Sequence, residues 1–201
     1  MKRERALFSI LLITGLFLFN SCATRFTNIW KDEQYQRGPV KKVFVIGVAK
    51  SESVKRFFED EFIRQLKARG TDAVASYSVF PTEAVVDKEM LANKVKELGA
   101  DAVIATRLVD RRKEQTYVPG NAYAVPGPYR GWGSYYEYAT TPGYVVENEV
   151  AVLETNLFDV QTESLIWSAQ SETTFTAADQ KLIQSFIKVI ANKLSKDGMI
   201  R

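Results

Sequence analysis

Apolar positions along the chain alternate between short β-branched runs and stripes of helical period. Residues 42–49 (KVFVIGVA) form a near-continuous β-branched run, the pattern of an internal strand covered on both faces. In residues 53–69, Val54, Phe58, Phe62 and Leu66 recur every fourth position and Gly70 follows as a stop, which predicts an amphipathic helix. The consecutive carboxylates Glu59, Asp60 and Glu61 of that helix read as a solvated face, because three adjacent helical positions do not converge on one ligand. The alternation then repeats. Residues 73–77 read as a short strand, 88–98 as a helix with Leu91, Val95 and Leu98 inward and Gly99 as its stop, and 102–109 (AVIATRLV) as a second buried strand. Strands alternating with helices of this length predict βαβ crossovers and a partly parallel sheet.

Beyond residue 150 the pattern changes. Residues 150–160 and 165–174 are strand-like runs separated by Gln161-Thr162-Glu163-Ser164, which predicts a β-hairpin. Thr176 offers an N-cap for a last helix through residue 194, with Ile183, Ile187, Ile190 and Leu194 on one face. The expected fold class is α/β: a mixed sheet in the order β-α-β-α-β, an insertion, then β-β-α, with helices packed on the sheet.

The insertion, residues 117–145, holds seven of the nine tyrosines, five of the eleven glycines and four of the six prolines, and its only charges are Arg130 and Glu137. Pro and Gly at this density oppose a regular helix or central strand, and a connection this long inside a domain is commonly functional. Three readings stand. The segment is a flap that covers the sheet or extends the hairpin strands. Alternatively its rings, with Trp132, Tyr135, Tyr136 and Tyr138 as the candidates, grip a protein partner through rigid amphipathic area. In the third reading they stack on an envelope glycan or sit at a lipid headgroup interface.

At the other end of the chain, Lys2, Arg3 and Arg5 precede an apolar stretch at residues 6–19, the pattern of an export signal. It is shorter than the ~20 residues a membrane-spanning helix needs. Ser21-Cys22 resembles the lipobox of bacterial lipoproteins, with Phe19 where Leu is usual and Asn20 where a small residue is usual. By that resemblance Cys22 is lipidated and becomes the new N-terminus; the other reading is an ordinary signal peptide with a coincidental cysteine. Ala23 rather than Asp after the cysteine points to the outer membrane by the sorting rule of enteric bacteria. The expected organisation is residues 1–21 as signal peptide, 22–41 as lipidated N-terminus and tether with a short segment that packs on the domain, and 42–201 as a periplasmic α/β domain carrying the insertion.

Charge and composition narrow the function classes. Without residues 1–21 the chain keeps 24 of its 27 basic and 23 of its 24 acidic residues, a formal charge near zero that gives no support to nucleic-acid binding. There is no histidine, which removes Ser-His-Asp and Cys-His nucleophile pairs and His-bearing zinc sites. With Cys22 consumed by lipid, no cysteine remains for a disulfide or a metal. No phosphate-binding glycine motif follows the first strand either, where the sequence is Gly47-Val48-Ala49-Lys50-Ser51-Glu52-Ser53. Neither a cofactor nor a metal is expected.

The opening Asn28-Ile29-Trp30-Lys31-Asp32, the blocks at residues 41–70 and 97–108 (ELGADAVIATRL) and the hairpin LFDVQTESLIWSAQ at 157–170 resemble a family of bacterial lipoproteins. More remotely, the element order is similar to the periplasmic α/β domain of the curli secretion lipoprotein, of the lipoprotein activators of penicillin-binding proteins, and of the N-terminal domain of the Tol-system propeller protein. That resemblance implies binding and assembly in the envelope rather than catalysis, and carries no residue motif across. The long transmembrane hairpins of the curli pore are not evident in the pattern. The expected function is therefore a non-enzymatic, membrane-anchored binding module for another envelope protein or glycan. Two alternatives are a glycan-remodelling factor with Asp110 or Glu137 as acid or base, and a subunit of a homo-oligomeric envelope assembly.

Overall fold

The computed structural model describes residues 24–49, 51–80, 87–126, 136–175 and 180–201. Among these described residues, eight strands and three α-helices follow in the order β1 (Thr24–Lys31), β2 (Lys42–Val48), α1 (Glu52–Lys67), β3 (Asp72–Ala75), α2 (Lys88–Glu97), β4 (Ala102–Val118), β5 (Ala122–Pro126), β6 (Tyr136–Thr140), β7 (Tyr144–Asp159), β8 (Leu165–Phe175) and α3 (Gln180–Lys196), with a 3₁₀ turn at Ser76–Ser78. Six of the strands form one sheet in the order β1-β8-β7-β4-β2-β3, and β5 pairs with β6 in a separate ribbon. β2 is parallel to both β3 and β4, whereas the β4–β7, β7–β8 and β8–β1 pairs are antiparallel. This is the expected mixed α/β fold.

The parallel part explains where the helices lie. The chain moves from β2 outward to β3, then back across β2 to β4. Right-handed crossovers in opposite directions place their helices on opposite faces of a sheet. Accordingly, Val43 and Val45 of β2 pack with Phe62 and Leu66 of α1, while the intervening Phe44 packs with Val95 of α2. β2 is thus buried on both faces, as its unbroken apolar run predicts. The glycines expected to stop α1 and α2, Gly70 and Gly99, both take positive φ (79° and 65°), a conformation that side chains with a Cβ disfavour.

α3 lies beside α1 on one face and completes the larger core. Phe186, Ile187, Ile190 and Leu194 join Phe62, Leu66, Ile104, Leu157 and Trp167 there, and the Phe58 ring sits 6.1 Å from that of Phe186. The indole Nε1–H of Trp167 donates to Asp197 Oδ2 at 2.8 Å, and Lys193 Nζ donates to Asp197 Oδ1 at 2.6 Å, so the end of α3 is tied to β8. Burial pushes the Asp197 carboxyl up, but these hydrogen bonds outweigh it and hold the group below its ordinary value. The Thr176 N-cap expected for α3 lies outside the described residues.

Three features differ from the sequence-based expectation. The packing segment within residues 22–41 is a full edge strand, β1, with Thr24 paired to Thr173 and Lys31 to Trp167. The strand expected at 102–109 continues to Val118, and its partner β7 begins at Tyr144 rather than at 150. The run Glu59-Asp60-Glu61 is not a solvated face: Glu59 has no exposed surface and Glu61 is buried. Glu59 Oε1 accepts from Gly47 N at 2.9 Å and Ser76 Oγ at 2.6 Å, and Oε2 accepts from Tyr77 N at 3.1 Å, so one carboxylate joins α1 to β2 and to the 3₁₀ turn. Gly47 is needed there because an added Cβ would come within 2.9 Å of the Phe58 ring. Burial raises Glu61, and donation from Arg64 and Gln65 more than reverses the shift.

Candidate functional site

The β4–β7 pair outruns the sheet that contains it. β2 accompanies β4 only as far as Arg107, opposite Val48, and β8 accompanies β7 only as far as Glu149, opposite Phe175. From Leu108 onward, among the described residues, the outer edge of β4 has no strand neighbour. From Glu114–Val118 opposite Tyr144–Asn148, the two strands have only each other. At about 3.4 Å per residue this free ribbon is about 17 Å long. It continues through Gly120 and Gly143 into β5 and β6. An added Cβ would meet the Thr141 carbonyl oxygen at 1.9 Å from Gly120, so that glycine is required by the close crossing, and at Gly143 it would displace the Tyr117 hydroxyl, which lies 2.2 Å from the same point. Asn121 and Thr141 pair across it, with Thr141 N donating to Asn121 O at 2.9 Å.

Cross-strand charges hold the root of the ribbon. Lys113 Nζ lies 2.6 Å from Glu147, and Arg112 reaches both Glu114 at 3.0 Å and Glu172 of β8 at 2.6 Å. Glu172 also receives Arg25 of β1 at 2.7 Å, so three strands are stitched together beneath the ribbon. Donation from Arg112 and Arg25 holds the Glu172 carboxyl below its ordinary value, and Lys113 does the same for Glu147. Charges along an unpaired strand edge also discourage uncontrolled pairing with other chains.

Apolar groups mark the two ends of the free edge. Val48, Leu108 and Val109 are exposed where β2 stops, beside a register shift between Leu108 and Asp110. At the far end Tyr117, Tyr144 and Val145 are 65%, 61% and 57% exposed. A strand edge with no strand neighbour among the described residues and apolar groups at both ends is suited to docking another molecule.

Of the residues singled out in the insertion, Tyr136 and Tyr138 fall in β6, opposite Pro126 and Ala124, while Trp132 and Tyr135 lie outside the described residues, as does Cys22. Asp110 sits on the exposed edge beside the register shift, its Oδ1 accepting from Arg111 N at 2.8 Å, and Glu137 is in β6 opposite Val125. Sequence reasoning missed Tyr117 and Tyr144 as exposed residues of the ribbon and the free β4 edge altogether. Among the described residues no group of three His, Cys, Asp or Glu side chains is placed to hold a metal ion, and no helix is long and apolar enough to cross a membrane.

No protein-family model matches the chain, and no curated protein matches it in sequence. Among solved structures it is similar to the PelC dodecamer from Paraburkholderia phytofirmans, at 15% identity over 89% of this chain and 98% of that one, with a TM-score of 0.48. It is also similar to the lipoprotein GNA1162 from Neisseria meningitidis, at 10% identity over 77% and 98% with a TM-score of 0.42. A third likeness is to a neuraminyllactose-binding hemagglutinin homologue from Helicobacter pylori, at 12% identity over 84% and 94% with a TM-score of 0.38. At these identities and TM-scores the likenesses carry no argument about function.

Proposed function

We propose that the chain is a lipid-anchored, non-enzymatic module of the bacterial envelope that docks another envelope component through the β4–β7 ribbon. The observation that carries this reading is the ribbon itself: a two-stranded arm that leaves the sheet, has no buried residue among 113–122 and 140–148, and carries exposed Tyr117, Tyr144 and Val145 along it. An isolated two-stranded ribbon is marginal in water, and here it is braced at its root by cross-strand ion pairs. The export signal and Cys22 in its lipobox-like setting support the anchored part of this reading.

The non-enzymatic reading is supported by the chemistry of the buried carboxylates. Glu59, Glu61, Asp159 and Asp197 are each held by donors from within the fold, and no histidine is available as a base. The test is in-cell crosslinking with mass spectrometry, comparing the native lipoprotein with a form whose ribbon is replaced by a tight turn. Capture of a defined envelope protein by the native form, and its loss from the folded shortened form, is the expected result. Identical capture by both forms overturns the ribbon as the docking element.

A further inference from the structure

The two faces of the six-stranded sheet are clothed differently. On one, α1 and α3 cover the strands through a core that holds Val45 of β2, Ile104 of β4, Leu157 of β7 and Trp167 of β8. On the other, α2 packs over the parallel strands, its Val95 joining Phe44, Ile46, Val74 and Val103. Among the described residues, no apolar cluster joins a helix to β1 or β8 on that second face.

Residues directly opposite each other on paired strands share a face, so the register shows what the second face carries. One rung runs from Ile46 through Ala105, Asn156 and Ser168 to Trp30. The next runs from Val48 through Arg107, Glu154 and Gln170 to Asn28. From Arg107 to Asn28 is three strand spacings, or about 14 Å. Part of this surface satisfies itself: Arg107 Nε donates to Glu154 at 2.7 Å, Asn156 Nδ2 donates to Glu154 Oε1 at 3.2 Å, and Ser168 Oγ donates to Asn156 Oδ1 at 2.6 Å. Beyond that chain Asn28 and Gln170 stand side by side, and among the described residues neither side-chain amide has a hydrogen-bond partner. Trp30, next to Asn28 on the same face of the outermost strand, is 46% exposed.

A solvated polar face is ordinary for antiparallel strands and does not by itself require a ligand. Two adjacent free amides beside a half-exposed indole narrow the chemistry. Each amide offers donors and an acceptor in one plane, the pattern that a sugar hydroxyl or an acetamido group answers. The indole supplies a flat apolar surface for a sugar ring. Charge argues against anionic partners: Glu154 answers Arg107, and Glu172 and Glu114 answer Arg25 and Arg112, so no cationic surplus awaits a phosphate. A protein-binding patch centres on apolar anchors, whereas here the one large ring lies at the margin.

We propose that Asn28, Gln170 and Trp30 form a binding site for an uncharged, N-acetylated glycan that lies along the rung toward Arg107. The amides pair with its acetamido and hydroxyl groups, and the indole packs on one ring. The site uses none of the ribbon residues, so it and the ribbon contact stand or fall separately.

The test is calorimetric titration of the full chain, in a detergent without a sugar headgroup, with the hexamer of N-acetylglucosamine. Saturable binding is expected. The double variant Asn28→Ala with Gln170→Ala, which removes two hydrogen-bonding groups, weakens it about tenfold or more. Trp30→Ala weakens it likewise, Trp30→Phe retains part of it, and Tyr144→Ala on the ribbon leaves it unchanged. Urea midpoints that match the native chain show that the variants are folded; if the double variant lowers its midpoint, Trp30→Ala decides the question. Absence of saturable binding overturns the site, as does binding that survives both the double variant and Trp30→Ala. Binding lost with Tyr144→Ala and kept by the face variants overturns it in favour of the ribbon.

Discussion

Removing the ribbon is expected to leave the domain as stable as before, or more stable. None of residues 113–122 and 140–148 is buried, whereas Val150, Ala151 and Val152 directly below are. Deleting residues 114–148 and joining Lys113 to Glu149, which already pair, through an Asn-Gly turn therefore removes no core contact made by residues 114–122 and 140–148. What is lost is a set of exposed ion pairs, chiefly Lys113–Glu147 and Arg112–Glu114, each worth about 0–1 kcal/mol. What is gained is loop-closure entropy: shortening a 35-residue connection to two residues contributes about 2.5 kcal/mol, from 1.5RT ln(35/2). The net change lies between about 0.5 and 2.5 kcal/mol of stabilisation. Urea unfolding of the soluble forms, followed by the fluorescence of buried Trp167, measures it as a midpoint that stays or rises at a nearly unchanged slope. A loss of more than about 2 kcal/mol would mean that the ribbon covers the core, and the reasoning that assigns it to docking would fail.

Three further outcomes follow from the packing. Glu59→Gln presents an amide to three donors that a carboxylate now satisfies, leaving one buried donor unpaired, and is expected to cost about 1–3 kcal/mol in urea unfolding; a neutral result contradicts the bonding described. Gly47→Ala puts a Cβ within 2.9 Å of the Phe58 ring and is expected to cost about 1–3 kcal/mol by the same measurement, through a displaced α1. Asp197 is held below the ordinary Asp value, so its stabilising effect is complete above the unfolded pKa of about 3.9 and disappears as pH falls through the lower folded value. Asp197→Asn is accordingly less stable than the native protein at neutral pH, and the difference narrows below about pH 4; a gap that does not change with pH contradicts the assignment.

The parallel half of the fold was legible because its strands are buried on both faces and its helices carry clean stripes. Phe44 between Val43 and Val45, and the four-residue spacing from Val54 to Leu66, each admit one reading. β1 was hidden by its bulge. The register shift between Phe26 and Asn28 puts Thr24, Phe26 and Ile29 toward the helices, a spacing that fits neither a strand nor a helix. The same effect truncated β4. The shift between Leu108 and Asp110 breaks alternation, and the run Asp110-Arg111-Arg112-Lys113-Glu114 that follows looks like a solvated loop until its partners on β7 and β8 are known. Glu59 could not be distinguished from its acidic neighbours, because its three donors come from residues 47, 76 and 77.

The aromatic insertion was visible from composition alone, and extension of the hairpin strands was one of its readings. Its placement was not visible. The end of the sheet from which it departs depends on the pairing of β1 with β8, and thus on a strand that the pattern conceals. The length of the ribbon was hidden too, because charged cross-strand pairs rather than apolar alternation hold it together.

The most direct test places a photo-crosslinking amino acid at Thr116, on the free edge of the ribbon, and separately at Lys188, on the exposed side of α3, in the otherwise native chain in living cells. Docking through the ribbon predicts a discrete adduct with one envelope component at position 116 and none at 188. Adducts at 188 alone, or the same adducts at both sites, would contradict it and move the contact to the body of the domain.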